Sequence, residues 1–288
     1  MKAFELVEPD TIEEAVALLN TDDPGVRAIA GGTALVLMMK ARLFEPTRLV
    51  SLRRLNGTMR GVRAMPDGGM RIGALTRLAE LEYSPVLAGA FPVISLALRT
   101  LSNIRVRNVA TLGGHLAHGD PHMDLPPILL TLGARVRAVS PGGERWISIA
   151  DFFVGYYETA LQHDELIAEI DVSGQPAGLY SSYAKFTALS ADDWPTVGAA
   201  VWFRLQNGLI SEARVAVSAA TDRPMRISEA EAALAGARPS ERAFANAADA
   251  AAQAVQPLTD IRGSAAYKRE MVRVYVRRAL MQAYGEAH

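Results

Sequence analysis

Two pairs of adjacent glycines, Gly31-Gly32 and Gly113-Gly114, are the residues of this chain best suited to hold a charged ligand. Each follows an apolar run and leads into a segment that reads as helix or tight loop. The first stands in Ile29-Ala30-Gly31-Gly32-Thr33-Ala34-Leu35, the second in Thr111-Leu112-Gly113-Gly114-His115-Leu116-Ala117. Residues without Cβ tolerate positive φ, so consecutive amides can point into one concavity and a ligand can approach the main chain. An amide nest at the mouth of a helix attracts phosphate. One Gly-Gly pair is more often just a turn. Two similar nests suggest a ligand with two phosphates, which is a dinucleotide.

The densest polar cluster is His115, His118, Asp120, His122 and Asp124, with three of the five histidines inside eight positions. Imidazoles and carboxylates are suitable zinc or iron ligands, but the H-x2-H-x3-H spacing matches no established metal motif. A loop that wraps a cofactor and a merely structural loop are the other readings. Asp124 can cap a helix or accept hydrogen bonds from ligand hydroxyls, as acidic residues do on ribose. Lys185, in Tyr183-Ala184-Lys185-Phe186, lies on the solvent face of a strand or neutralises an anionic cofactor. Trp194 is a core aromatic or a stacking partner for a flat ring. No Ser-His-Asp order, nucleophile elbow or pair of glutamates points to hydrolysis.

The elements that must position these residues can be read in outline. Thr11 and Glu14 form a capping box before the apolar face Ala15, Val16, Leu18 and Leu19. Val26 to Ala30 reads as a strand, with Thr33 capping a helix that runs to about Leu43. The third glycine of GxGxxG is missing, as is the lysine-Ser/Thr ending of a P-loop. Gly61 to Ala74 reads as a hairpin turning at Pro66-Asp67-Gly68-Gly69. Ser84-Pro85 starts a helix, and another covers Pro92 to Leu101. Asp124 begins a short helix over Leu125 to Leu132 that Gly133 ends. Arg135 to Val139 and Arg145 to Ile149 alternate as strands about Pro141-Gly142-Gly143. A boundary falls at Gly174-Gln175-Pro176-Ala177-Gly178. Beyond it, Tyr180 to Ala188, Val197 to Leu205 and Leu209 to Ala219 read as a three-stranded meander, with Asn207-Gly208 as a hairpin turn. Three helices follow: Ser228 to Leu234 with a Ser228–Glu231 capping box, Ser240 to Val255, and about Ala265 to Tyr284.

Composition narrows the class. At 288 residues two or three lobes are expected. A formal charge of −1 with no basic block argues against nucleic acid as the main partner. No apolar run approaches the roughly 20 residues of a membrane span. The start, Met1-Lys2-Ala3-Phe4-Glu5, lacks the apolar core of a signal peptide, so a cytoplasmic location is expected. With no cysteine, the chain can hold no disulfide, thiolate zinc site or cysteine-ligated iron–sulfur cluster. Any redox chemistry must ride on a bound organic cofactor.

The chain resembles the medium, FAD-binding subunits of the molybdenum hydroxylases, such as those of the xanthine dehydrogenase and carbon monoxide dehydrogenase type. Ala30-Gly31-Gly32-Thr33 with Met39-Lys40 is similar to the family's first pyrophosphate motif. Thr111 to Pro121, followed by Asp124-Leu125-Pro126-Pro127, is similar to its second, about 80 residues on. The resemblance covers essentially the whole chain, including the Arg277-Arg278-Ala279-Leu280 helix. It implies an α+β fold: a two-lobed FAD-binding domain of the vanillyl-alcohol-oxidase-like type (residues 1–57 and 58–174), then a C-terminal domain (178–288) with a three-stranded antiparallel sheet and a helical bundle.

By that resemblance Arg27, Ala28, Ile29, Ala30, Gly31, Gly32, Thr33, Ala34 and Leu35 wrap the pyrophosphate and adenosine side of one FAD. Leu101, Thr111, Gly113, Gly114, His115, Ala117 and His118 supply the second half. Asp124 holds FAD hydroxyls, Ile167 packs on the cofactor, Lys185 lies near it, and Trp194 stands beside the isoalloxazine. Two positions depart from the family: His115 replaces a common Asn or Asp, and Ala34 a residue often acidic or polar. The implied partners are a large subunit with a molybdenum–pterin cofactor and a small one with [2Fe–2S] clusters, in a dimer of heterotrimers. No catalytic acid or base and no metal ligand is assigned in this chain. A free-standing FAD-dependent oxidoreductase and a non-catalytic binding or assembly module are the alternatives.

Overall fold

The computed structural model describes residues 2–285. The first sheet has three parallel strands, β1 (Glu5–Val7), β2 (Val26–Ile29) and β3 (Arg48–Ser51), in the order β1-β3-β2. Parallel neighbours need a crossover, and the helix Ile12–Leu19 lies between β1 and β2 in the chain. Half of the expected capping box forms: Thr11 Oγ1 accepts from the Glu14 amide at 3.1 Å, while the Glu14 carboxylate accepts from the Asp10 amide at 2.8 Å instead of Thr11's, and Ala15, Val16 and Leu19 are buried.

The second sheet is antiparallel. It contains β4 (Val62–Ala64), β5 (Met70–Gly73), β6 (Arg135–Ser140) and β7 (Gly143–Ser148), and a small hairpin of β8 (Phe153–Gly155) and β9 (Glu158–Thr159) precedes its last strand, β10 (Leu166–Val172). The order is β4-β5-β10-β6-β7, which puts β10 at the centre with all seven residues buried. The hairpins at 65–69 and 141–143 stand where the sequence places them. One apolar cluster serves both sheets, reaching from Val16 and Val50 through Ile72, Leu98 and Leu112 to Ile170.

The C-terminal sheet corrects the sequence reading. It has four strands, not three: β11 (Leu179–Phe186), β12 (Val197–Gln206), β13 (Leu209–Ser218) and the two-residue β14 (Met225–Arg226), paired antiparallel in that order. A two-residue strand is too short to leave a period-two pattern. Asn207 and Gly208 both take positive φ (54° and 75°), as a type I′ hairpin turn requires. The helices Ser228–Leu234 and Ala265–Gly285 pack on this sheet, and Glu241–Ala254 packs against both of them. Successive residues of a strand face opposite sides. In β12, Val201 and Phe203 enter the helical core while Ala200 and Trp202 enter the N-terminal one. The middle of β12 is therefore apolar on both faces. Among the described residues no helix is long and apolar enough to cross a membrane.

Three local expectations fail for identifiable reasons. The helix after Gly31-Gly32 is only Leu35–Lys40; Ala34 stands at its N-cap, and Arg42 beyond it has φ of 58°. The helix from Pro92 ends at Leu98, where the Arg99, Thr100 and Leu101 amides turn to acceptors three residues back, Leu96 O, Ala97 O and Leu98 O. The Ser228–Glu231 capping box does not form. The Glu231 carboxylate instead accepts from the Val215 amide at 3.0 Å and from Arg226 at 2.7 Å, tying the helix to the sheet.

Candidate functional site

The two glycine pairs meet. A Cβ on Gly31 would stand 2.2 Å from the Val109 carbonyl oxygen, and one on Gly114 would stand 3.9 Å from Ala30 Cβ. Gly32 takes φ of 69°, a conformation that favours glycine. The amides of Gly32, Thr33 and Ala34 find no protein acceptor among the described residues. The first pair is thus a turn whose amides at Gly32, Thr33 and Ala34 are unbonded among the described residues.

The second pair does not form the expected amide nest. It lies inside the helix Leu112–Ala117, capped by Thr111, whose Oγ1 accepts from the Gly114 amide at 3.1 Å. The Gly113 amide donates to Ala74 O at 2.8 Å and the His115 amide to Thr111 O at 2.8 Å. These amides are spent within the protein. What the second pair supplies is close approach: a Cβ on Gly113 would stand 2.6 Å from Ala74 Cβ, and one on Gly114 would stand 3.0 Å from Thr111 Oγ1 and 3.9 Å from Ala30 Cβ of the first turn.

A second group gathers around Asp124. The residue stands at the N-cap of the helix Leu125–Leu132, yet its backbone is helical (φ −79°, ψ −40°) and its side chain makes no capping bond. Pro126 and Pro127 explain this, since they occupy the positions whose amides a capping carboxylate would accept from. The buried carboxylate accepts instead from Tyr183 OH at 2.9 Å and pairs with Lys185 Nζ at 3.1 Å. Burial raises its pKa, opposed by Lys185 and Tyr183. The Lys185 side chain is only 8% exposed, so it does not lie on a solvent face. Its ammonium also donates to Thr100 O at 2.7 Å and Asp193 O at 3.1 Å. Alternation along β11 puts Tyr183 and Lys185 on one face; Tyr183 was missed in the sequence although that signal was available. A cavity of about 400 Å³ between the helix Pro92–Leu98 and β11 is lined by Thr100, Tyr183 and Lys185, and by no residue of either glycine pair.

The three histidines of the 115–122 stretch diverge. His122 lies between carboxylates, Nδ1 at 2.8 Å from Asp120 Oδ1 and Nε2 at 3.3 Å from Asp260 Oδ2. His118 packs edge-on to Tyr157, ring centroids 5.1 Å apart, and Tyr157 OH donates to Asp120 at 3.0 Å. His115 Nε2 is buried without a hydrogen-bond partner. Among the described residues no group of three or more His, Asp or Glu is placed to hold a metal.

Burial, aided by His118 and opposed by Asp120, pushes the His115 pKa down to about 4. In the flavin-free chain the ring is therefore neutral at pH 7. The unfolded chain, with an ordinary histidine pKa near 6.5, binds this proton more readily. Stability attributable to His115 is thus present above about pH 6.5 and lost as pH falls toward 4. The flavin-free His115→Leu variant should lose less stability than the parent between pH 7 and pH 5, by about 1–2 kcal/mol in urea unfolding. Equal losses would refute the neutral, buried ring.

The remaining candidates are more dispersed. Ala28 and Ile29 lie in β2, paired with Val50 and Ser51, and Leu35 begins the short helix. Ala117 is exposed at the end of its helix. Arg27 turns outward over the Phe44 ring at 5.5 Å, with Nη1 at 3.1 Å from His163 Nε2. Leu101 and Ile167 are buried, Ile167 at the bulge in β10. Trp194 is 46% exposed and Arg262 lies over its ring at 5.5 Å, so it is not a core aromatic. Arg107, Glu82 and Tyr157 hold neighbouring loops through Arg107–Glu82, Arg107–Leu101 O and Tyr157–Asp120 bonds, and had no signal beyond residue type.

Two family descriptions match the chain: the FAD binding domain in molybdopterin dehydrogenase over residues 2–172, and the CO dehydrogenase flavoprotein C-terminal domain over residues 181–283. The chain is 33% identical over 281 residues to the carbon monoxide dehydrogenase medium chain of Hydrogenophaga pseudoflava, covering 98% of this chain and 97% of that one. It is also 33% identical over 285 residues to the nicotine 6-hydroxylase medium subunit of Paenarthrobacter nicotinovorans, with 98% of each covered. The solved carbon monoxide dehydrogenase from H. pseudoflava superposes with a TM-score of 0.95 at 35% identity, covering 99% of this chain and 98% of that chain. Quinoline 2-oxidoreductase from Pseudomonas putida 86 gives 0.93 at 30% identity, with 100% and 99% covered. Matches to both family domains, and relatives a third identical over almost the full length, make the chain an FAD-binding medium subunit of the molybdenum hydroxylase family.

Proposed function

We propose that the chain holds one FAD noncovalently between its two glycine pairs and serves as the electron-transfer subunit of a molybdenum hydroxylase. The observation that supports this reading is the meeting of Gly31-Gly32 with Gly113-Gly114: the amides of Gly32, Thr33 and Ala34 are unbonded, and a Cβ at Gly114 would stand 3.9 Å from Ala30 Cβ. An orphaned buried nitrogen on His115 beside this cradle suits a polar ligand. Residues 27–35 would hold the pyrophosphate and adenosine side, and Leu101, Thr111, Gly113, Gly114, His115, Ala117 and His118 the other flank. Asp124 would accept from FAD hydroxyls, with Lys185 favouring its charged form against the rise that burial imposes. Ile167 would pack on the cofactor, and Trp194 would stand at the ring's edge.

The flavin-binding part would be two-lobed in the vanillyl-alcohol-oxidase-like manner, with lobes 1–57 and 58–174 and the C-terminal domain 178–288. When bound, the flavin would supply the redox chemistry, taking electrons from [2Fe–2S] clusters on a small partner and giving them to NAD⁺, a quinone or oxygen. A large partner with a molybdenum–pterin cofactor would oxidise the substrate, in a cytoplasmic dimer of heterotrimers. This chain's residues bind, orient and shield the cofactor; none is asked to move a substrate proton.

Purified alone, the chain should therefore oxidise no hydroxylase substrate. Coexpressed with cluster-binding and molybdenum-binding subunits it should co-elute with them through moderate salt, since an obligate contact buries more than about 2,000 Å². Robust turnover by the isolated, metal-free chain would favour a free-standing flavoenzyme instead.

A further inference from the structure

We propose that the buried Glu82–Arg107 ion pair is a positioning element that sets the gap between the two glycine pairs, and so controls FAD affinity without touching the cofactor. This rests on the FAD reading above. Arg107 Nε donates to Glu82 Oε2 at 2.8 Å, and its Nη2 lies 3.4 Å from Glu82 Oε1. Its Nη1 donates to the carbonyls of both Leu101 and Ser102. Both side chains of the pair are below 10% exposed. Ser102 takes φ of 55°, which a non-glycine residue holds only where its surroundings impose it. The next carbonyl upstream, Thr100 O, is bound by Lys185. Two buried cations thus fix three successive carbonyls of this turn.

The clamp reaches the cradle through the main chain. Both the Val109 and Ala110 amides donate to Val106 O, so the position of Arg107 fixes that of Val109. The Val109 carbonyl is the surface against which Gly31 closes. On the other side, Leu78 N donates to Ala110 O, Leu112 N to Thr76 O and Gly113 N to Ala74 O. The segment that carries Glu82 therefore also carries the backbone on which the second glycine pair rests. Glu82–Arg107 closes a ring of contacts whose open side is the space between the pairs. A guanidinium is suited to this because its planar fork serves a carboxylate and carbonyls together.

A pair that served only to stabilise the fold would change stability and leave the cradle's affinity alone. The test is the double variant Glu82→Leu with Arg107→Met in the full chain. Replacing a buried ion pair by apolar residues of similar size is often neutral for stability, but the Leu101 and Ser102 carbonyls lose their donor. The variant is expected to melt near the parent temperature, to bind FAD about tenfold or more weakly by titration, and to show an altered circular dichroism spectrum of the bound flavin. Parent-like affinity and spectrum in the folded double variant would overturn the proposal. Should that variant not fold, Arg107→Lys decides: it keeps the charge opposite Glu82 but cannot span both carbonyls, and unchanged FAD affinity there would equally overturn it. A parent chain that takes up no FAD would refute the cofactor reading, and this inference with it.

Discussion

Gly114→Val should give a folded chain that retains almost no FAD. A Cβ at Gly114 meets only Thr111 Oγ1 at 3.0 Å and Ala30 Cβ at 3.9 Å, so the helix can carry the new side chain. The two added methyl groups then occupy the opening between the glycine pairs. Displacing a pyrophosphate from two charge-assisted hydrogen bonds costs about 3 kcal/mol or more, which is about a hundredfold in affinity. The check is the flavin-to-protein absorbance ratio together with a melting curve. Full FAD occupancy in a folded Gly114→Val chain would remove this helix from the cofactor site. Gly31→Val tests something different, because its Cβ would collide with the Val109 carbonyl at 2.2 Å and the fold itself would have to shift.

Lys185→Met should be strongly destabilising. It leaves the Asp124 carboxylate buried with only the Tyr183 hydroxyl as side-chain partner. Removing one member of a buried pair costs about 3–5 kcal/mol, because the survivor is uncompensated. The loss should depend on pH. Burial already raises the Asp124 pKa above its usual value, and losing the ammonium raises it further. The native state then binds the proton more readily than the unfolded chain, so stability is recovered at low pH and lost as pH rises through the raised pKa. Urea unfolding should accordingly show a smaller deficit for Lys185→Met at pH 5 than at pH 8. A deficit independent of pH would mean that Asp124 is not the group left stranded. Asp124→Asn is milder, since Asn keeps an acceptor for Tyr183. If the carboxylate also accepts from FAD hydroxyls, it should weaken FAD binding by about one to two powers of ten.

Much of the architecture was legible because local chemistry decided it. The Thr11 cap, Ser84 before Pro85, and Asn207-Gly208 each satisfy a backbone requirement within a few residues, and each stands as read. The failures have a common cause. Glu231 was available to Ser228 but found the Val215 amide and Arg226, partners that only the folded sheet supplies. The glycine pairs were conspicuous, but nothing in their spacing says that Gly31 closes on Val109, or that the Gly113 amide is taken by Ala74. Asp124 is the instructive case. Pro126 and Pro127 already removed the amides a cap would need, so the sequence held the argument against capping, while its partner Lys185 lay some 60 residues away.

The central claim is most directly tested by the flavin released when the purified full chain is unfolded. Chromatography of the supernatant should recover about one FAD per chain, with none retained on the precipitated protein; the absence of cysteine excludes a thioether link. A chain that is colourless as purified, and that takes up no FAD when supplied with an excess, would contradict the account.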